Sequence, residues 1–96
     1  MRNDNRVSVF RGVLDEMCSV FERKDADYGN SFGDSIREFG YVVAVARMND
    51  KLSRLKKMVK GGDIKIPSET MRDNLLDIAN YCVLTIMELD SDTDKG

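Results

Sequence analysis

The chain contains no histidine, which removes the side chain that titrates nearest neutrality and the commonest transition-metal ligand. Any catalysis therefore falls to carboxylates, lysines or tyrosines. It has only two cysteines, Cys18 and Cys82, too few for a disulfide framework or a zinc site. Both sit in apolar helical stripes, where a thiol behaves as a small hydrophobe, so reduced thiols and a cytoplasmic protein are expected. No apolar run approaches the roughly 20 residues of a membrane span, and no hydrophobic signal segment follows the polar start MRNDNR. No membrane association is expected. Nor does positive charge dominate: 17 acidic against 15 basic residues leave a net charge of −2, which argues against general nucleic-acid binding held by charge alone.

What is present is helical periodicity. With 96 residues the chain is expected to be one domain, an all-α bundle of three or four helices around a modest core. The clearest helix covers residues 68–89, where Met71, Leu75, Ile78, Cys82, Ile86 and Leu89 recur at steps of three and four and share one side of a cylinder. That side is expected to be core. Ser68 after Pro67 is a natural N-cap. Residues 79–87 carry no charge on any face, a pattern of burial all round that one small core does not supply. A second copy is expected to cover it, making the protein at least a homodimer through its C-terminal helix. The acidic segment 90–96 is expected to fray.

A first helix is expected from a cap at Asn3 or Asp4 to about Arg23, with Val7, Phe10, Leu14, Met17 and Phe21 as its seam. Residues 23–34, RKDADYGNSFGD, lack an apolar period and hold turn-forming residues, so a loop is expected, with Gly29 supplying a positive φ. Its aromatics, Tyr28 and Phe32, either plug the end of the bundle or offer a ring for stacking, with Lys24, Asp27, Asn30 and Ser31 as hydrogen-bonding partners of a polar ligand. Residues 35–39 suit a helical turn broken by Gly40. A longer helix is then expected over residues 41–60, with Tyr41, Val45, Met48, Leu52, Leu55 and Val59 inward and Gly61-Gly62 as its stop. The short DIKIP stretch at residues 63–67 has alternating character but no evident partner, so it is read as a connector.

Two polar constellations stand out. Glu69, Asp73 and Asp77 follow one another at four-residue intervals beside Asn80, and such like-charge neighbours repel by up to about 0.5 kcal/mol per exposed pair. Arg47, Asp50, Lys51 and Arg54 lie within about 100° of one another on the preceding helix. Three accounts of the basic stripe follow: intrahelical pairing through Asp50, compensation of the three carboxylates across a helix pair, or receipt of phosphate by arginines suited to bidentate contact.

Three blocks, KDADYGNSF at residues 24–32, RMNDKLSRL at 47–55 and SETMRDNLLDIANY at 68–81, together resemble the phage and prophage family called nucleotide modification associated domain 1. Its pattern includes DYG followed by SF, an R-x-x-D-K-x-x-R-L helix and an E-x-x-x-D-x-L-x-D-x-A-N-Y helix. The resemblance places the family's polar signature on Asp27, Tyr28, Gly29, Ser31, Arg47, Asp50, Lys51, Arg54, Glu69, Asp73, Asp77, Asn80 and Tyr81, and implies a link to phage nucleotide metabolism. A more distant similarity is to the all-α, MazG-like nucleoside triphosphate pyrophosphatases, which hold magnesium with acids from two helices. This chain lacks the E-x-x-E half of that site, the nearest acids being Asp15, Glu16 and Glu22. Glu69, Asp73 and Asp77 are the candidates for magnesium, completed by water and substrate phosphates. The expected ligand is a small phosphorylated nucleotide or cyclic nucleotide signal, bound by Lys24, Asp27, Tyr28, Ser31, Arg47, Lys51, Arg54, Asn80 and Tyr81. Sequestration is the expectation; magnesium-dependent phosphohydrolysis and a purely structural, ion-paired oligomer are the alternatives.

Overall fold

A computed structural model describes the backbone of residues 2–95 and the side chains of residues 5–92. The chain forms two compact units, Met1–Asn30 and Ser31–Gly96. The first is a single helix, α1, Arg2–Tyr28. The expected caps Asn3 and Asp4 have side chains outside the described residues, and the helix already includes both positions. At its other end α1 runs through most of the stretch expected to be a loop. Nothing in Lys24, Asp25, Ala26 and Asp27 breaks a helix, and alanine is the strongest helix former. The stop is Gly29, at φ +65°, whose N–H donates to the Asp25 carbonyl at 2.8 Å. This is the left-handed cap that glycine adopts without a Cβ penalty. The loop shrinks to Gly29 and Asn30.

The second unit contains α2 (Ser31–Phe39), α3 (Val42–Met58), strands β1 (Val59–Lys60) and β2 (Asp63–Ile64), and α4 (Ser68–Lys95). The Gly40 N–H, donating to Ile36 O at 2.6 Å, closes α2. The connector after α3 is a small hairpin: β1 and β2 pair antiparallel, Val59 opposite Ile64 and Lys60 opposite Asp63. DIKIP thus has a partner that its own sequence does not reveal, the unwound end of α3. Gly61 and Gly62 both have positive φ, 58° and 85°, as a two-residue hairpin turn matching strand twist requires. The cap of α4 falls one residue earlier than Ser68, since the Pro67 carbonyl accepts from Thr70 and Met71. The helix then continues past Leu89 to Lys95, with no glycine or proline before Gly96 to end it.

α3 packs chiefly on α4, and α2 rests on both. Tyr41 meets Asp92, Met48 meets Cys82 and Lys51 meets Asp77, pairs whose numbers run in opposite directions, so α3 and α4 are antiparallel. Ile36, Ala44 and Leu55 are the buried hydrophobic residues among those described. The inward arc of α3 is Ala44, Met48, Lys51, Leu55 and Met58, which keeps Met48 and Leu55 of the expected seam but leaves its Val45 and Leu52 exposed. On α4 the inward arc holds Asn74, Ile78, Tyr81 and Thr85, with Leu75, Ile86 and Leu89 outside and Cys82 at the boundary, exposed but touching Met48. Both helices are rolled toward their polar sides. The roll brings Lys51 to Asp77 and lets the small side chain of Ala44 admit close approach. Buried Asn74 is satisfied by donating to the Thr70 carbonyl at 2.9 Å, as burial of an amide demands.

Polar contacts tie the C-terminal half of α4 to the start of the unit. Arg37 donates to Asp34 at 2.6 Å and to Glu88 at 3.0 Å, and the Tyr41 hydroxyl donates to Asp92 at 2.5 Å. That hydrogen bond is the main cause of a Tyr41 pKa pushed up to about 12, followed by desolvation and the charges of Asp92 and Glu88. The folded state favours the neutral phenol, so the contribution is complete below the ordinary tyrosine value of about 10 and lost as pH rises through about 12. The phenolate absorbance of the protein minus that of Tyr41→Phe should titrate near the upper value. The stability difference between the two proteins should close over the same window; a midpoint at the ordinary tyrosine value would refute the link to Asp92.

Candidate functional site

The second unit presents one strongly polar side, where α3 and α4 meet. Its anchor is the ion pair from Lys51 Nζ to Asp77 Oδ2, 2.9 Å long, with side chains 18 and 38% exposed. At this partial burial the pair is screened less than a surface pair, and removing one partner leaves the other poorly solvated. Lys51 is therefore held in place by α4. Arg47 lies one turn before Lys51 and Arg54 one turn after it, both exposed. Among the described residues, neither forms a salt bridge with a carboxylate. Of the expected cross-helix compensation only Lys51 to Asp77 is present, and Asp50 pairs with neither arginine.

Further along α4, Asn80 and Tyr81 are half-buried. The Tyr81 ring sits against Phe32 of α2, with centroids 5.4 Å apart and planes at 43°, a tilted arrangement that the quadrupoles of two aromatic rings favour. Phe32 is thus a wall packed on α4, a role hidden in the sequence because its partner lies 49 positions away. Ser31 opens α2 and is exposed. Glu69 and Asp73 are exposed on the first turns of α4. Among the described residues no three acidic or thiol groups stand together as a metal-holding cluster, so Glu69, Asp73 and Asp77 are not gathered as a magnesium trio, and Asp77 is engaged by Lys51.

Lys24, Asp27 and Tyr28 belong to the first unit. They lie on the last turns of α1, not on a loop, and the 100° helical step puts all three on one face. Each is exposed, Tyr28 at 74%. Sequence reasoning also missed the cluster of Asp34, Arg37, Glu88, Tyr41 and Asp92. The three-residue spacing of Asp34 and Arg37 was the one local signal for it.

The family model described as nucleotide modification associated domain 1 matches residues 24–89. The chain belongs to that family. No match was found among curated proteins or among solved structures. The matched segment of this nucleotide modification associated domain starts in the last turns of α1 and takes in α2, α3, the hairpin and most of α4. It therefore contains every residue expected to bind ligand or metal, from Lys24 to Tyr81, while Asp92 lies beyond it. No helix among the described residues is long and apolar enough to cross a membrane.

Proposed function

We propose that this nucleotide modification associated domain binds a phosphorylated nucleotide or cyclic nucleotide signal on the polar side of α3 and α4, and holds it without hydrolysis. One observation carries the reading. Among the described residues, Arg47 and Arg54 are exposed and form no salt bridge with a carboxylate, on either side of a lysine that is fixed by Asp77. Guanidinium groups left free in this way offer bidentate donors to phosphate oxygens. Seven residues of helix separate the two by about 10 Å along the axis, which suits a ligand with two or more phosphates. Asn80 has both donors and an acceptor for a base edge, and the paired rings of Phe32 and Tyr81 give an apolar wall beside it. The donor set does not fit a carboxylate-held magnesium ion, since Asp77 serves Lys51 and the three acids do not gather. Binding is accordingly assigned to cations, the amide and the rings.

The test is incubation with a panel of nucleoside triphosphates and cyclic oligonucleotides, with magnesium or with chelator, followed by chromatography of bound and free nucleotide. Retention in chelator and recovery of intact ligand are expected. Release of pyrophosphate or monophosphate that requires magnesium and disappears in Asp73→Asn would make the protein a phosphohydrolase. Binding to nothing in the panel would leave the polar side with a structural role only.

A further inference from the structure

We infer that the outward apolar face of α3 and α4 docks a second copy of this chain, with α4 antiparallel to α4 of the partner subunit about a two-fold axis near Cys82. The face is the consequence of the inward roll of both helices. Leu75, Ala79, Cys82, Ile86 and Leu89 follow at steps of four, three, four and three, the spacing of a coiled-coil seam, yet Ile86 is 55% exposed and Leu75 and Leu89 nearly as much. No charged residue occurs between Asp77 and Glu88. Because α3 and α4 are antiparallel and each has its exposed apolar arc displaced by about 100° in the same rotational sense from its inward arc, Val45, 62% exposed, and Leu52 fall on the same side as the α4 seam. The core of the unit is thin, with Ile36, Ala44 and Leu55 its buried hydrophobic residues. Apolar burial stabilises in proportion to the area taken from water, so covering a second apolar face is a substantial gain.

The charge pattern identifies the occupant. Arg72 and Asp90 are both exposed and eighteen residues apart, five helical turns, so they lie on one line beside the seam, at its two ends. An antiparallel copy brings this flank of one helix against the same flank of the other and sets Arg72 against Asp90 of the partner subunit, twice by symmetry; a parallel copy would leave the two flanks on opposite sides of the seam and form neither pair. The seam is also close to self-complementary about Cys82: Leu75 comes opposite Leu89 of the partner subunit, and small Ala79 opposite bulky Ile86 of the partner subunit. An isologous contact requires this self-matching. Arg47, Arg54, Glu69 and Asp73 lie on the other side of the helix pair, so the proposed nucleotide site of each copy stays open, and the inference does not depend on that site.

Sedimentation equilibrium of the full chain at micromolar concentration should show a dimer. Ile86→Glu, a change at an exposed position, should weaken self-association at least about 100-fold with helicity kept, because it places two charges in the seam. A short bis-maleimide should yield a crosslinked dimer from the wild type and from Cys18→Ser, and none from Cys82→Ser. Arg72→Glu should weaken the dimer about tenfold, and adding Asp90→Arg should restore it. A monomer at micromolar concentration would overturn the proposal, as would a dimer indifferent to Ile86→Glu and uncrosslinked through Cys82. Failure of the charge swap to restore association would overturn the antiparallel arrangement.

Discussion

Replacing Arg47 or Arg54 with alanine should weaken nucleotide binding by about 1.5–3 kcal/mol, roughly tenfold to somewhat over a hundredfold, the range for hydrogen bonds to charged groups. Both side chains are exposed and unpaired with carboxylates among the described residues, so the melting temperature should hardly move. Calorimetric titration and thermal melts of each variant separate the two quantities. Lysine at either position should recover only part of the affinity, because an ammonium keeps the charge and loses the planar fork. Lys51→Ala is the informative contrast. It removes a cation and also strands the partly buried carboxylate of Asp77, so binding and stability should fall together. If Arg47→Ala lowered the melting temperature without touching affinity, the arginines would be structural and the proposed site wrong.

Leu55→Ala should lower the stability of the second unit by about 2–5 kcal/mol, the cost of deleting a buried leucine and leaving a cavity. Leu55 is 8% exposed and one of few buried apolar side chains in the unit, with Ala44 and Ile36. A small domain is typically stable by only about 5–15 kcal/mol, so the variant should be partly unfolded at 37 °C by circular dichroism and should bind nucleotide weakly for that reason alone. Leu52→Ala, three residues earlier on the exposed arc, should cost far less in the same melt at concentrations where the chain is monomeric. The sequence periodicity ranks the two leucines alike. Equal losses would mean that α3 faces α4 by the arc its periodicity predicts and not by the one observed here.

The helices themselves were legible in the sequence. Three-and-four periodicity identifies α1, α3 and α4, Gly29, Gly40 and the Gly61-Gly62 pair mark their ends, and the polar residues that resemble the family pattern lie in the segment that its model matches, residues 24–89. These features are local: they depend on residues within one or two turns of each other and on backbone preferences that act before any packing. The tertiary structure alone decided which arc of each helix turns inward. Periodicity defines an apolar arc and a polar arc, but the roll of a helix is a compromise between them, and here the Lys51 to Asp77 pair and the close approach at Ala44 draw the polar edge inside. Leu75, Ile86 and Val45 are left outside as a result. The pairing of β1 with β2 and the contact of Phe32 with Tyr81 were likewise invisible beforehand, because each depends on a partner brought near only when the chain has folded. The same holds for the carboxylates: their four-residue spacing is a property of α4, whereas which of them meets a cation was settled by where α3 came to lie.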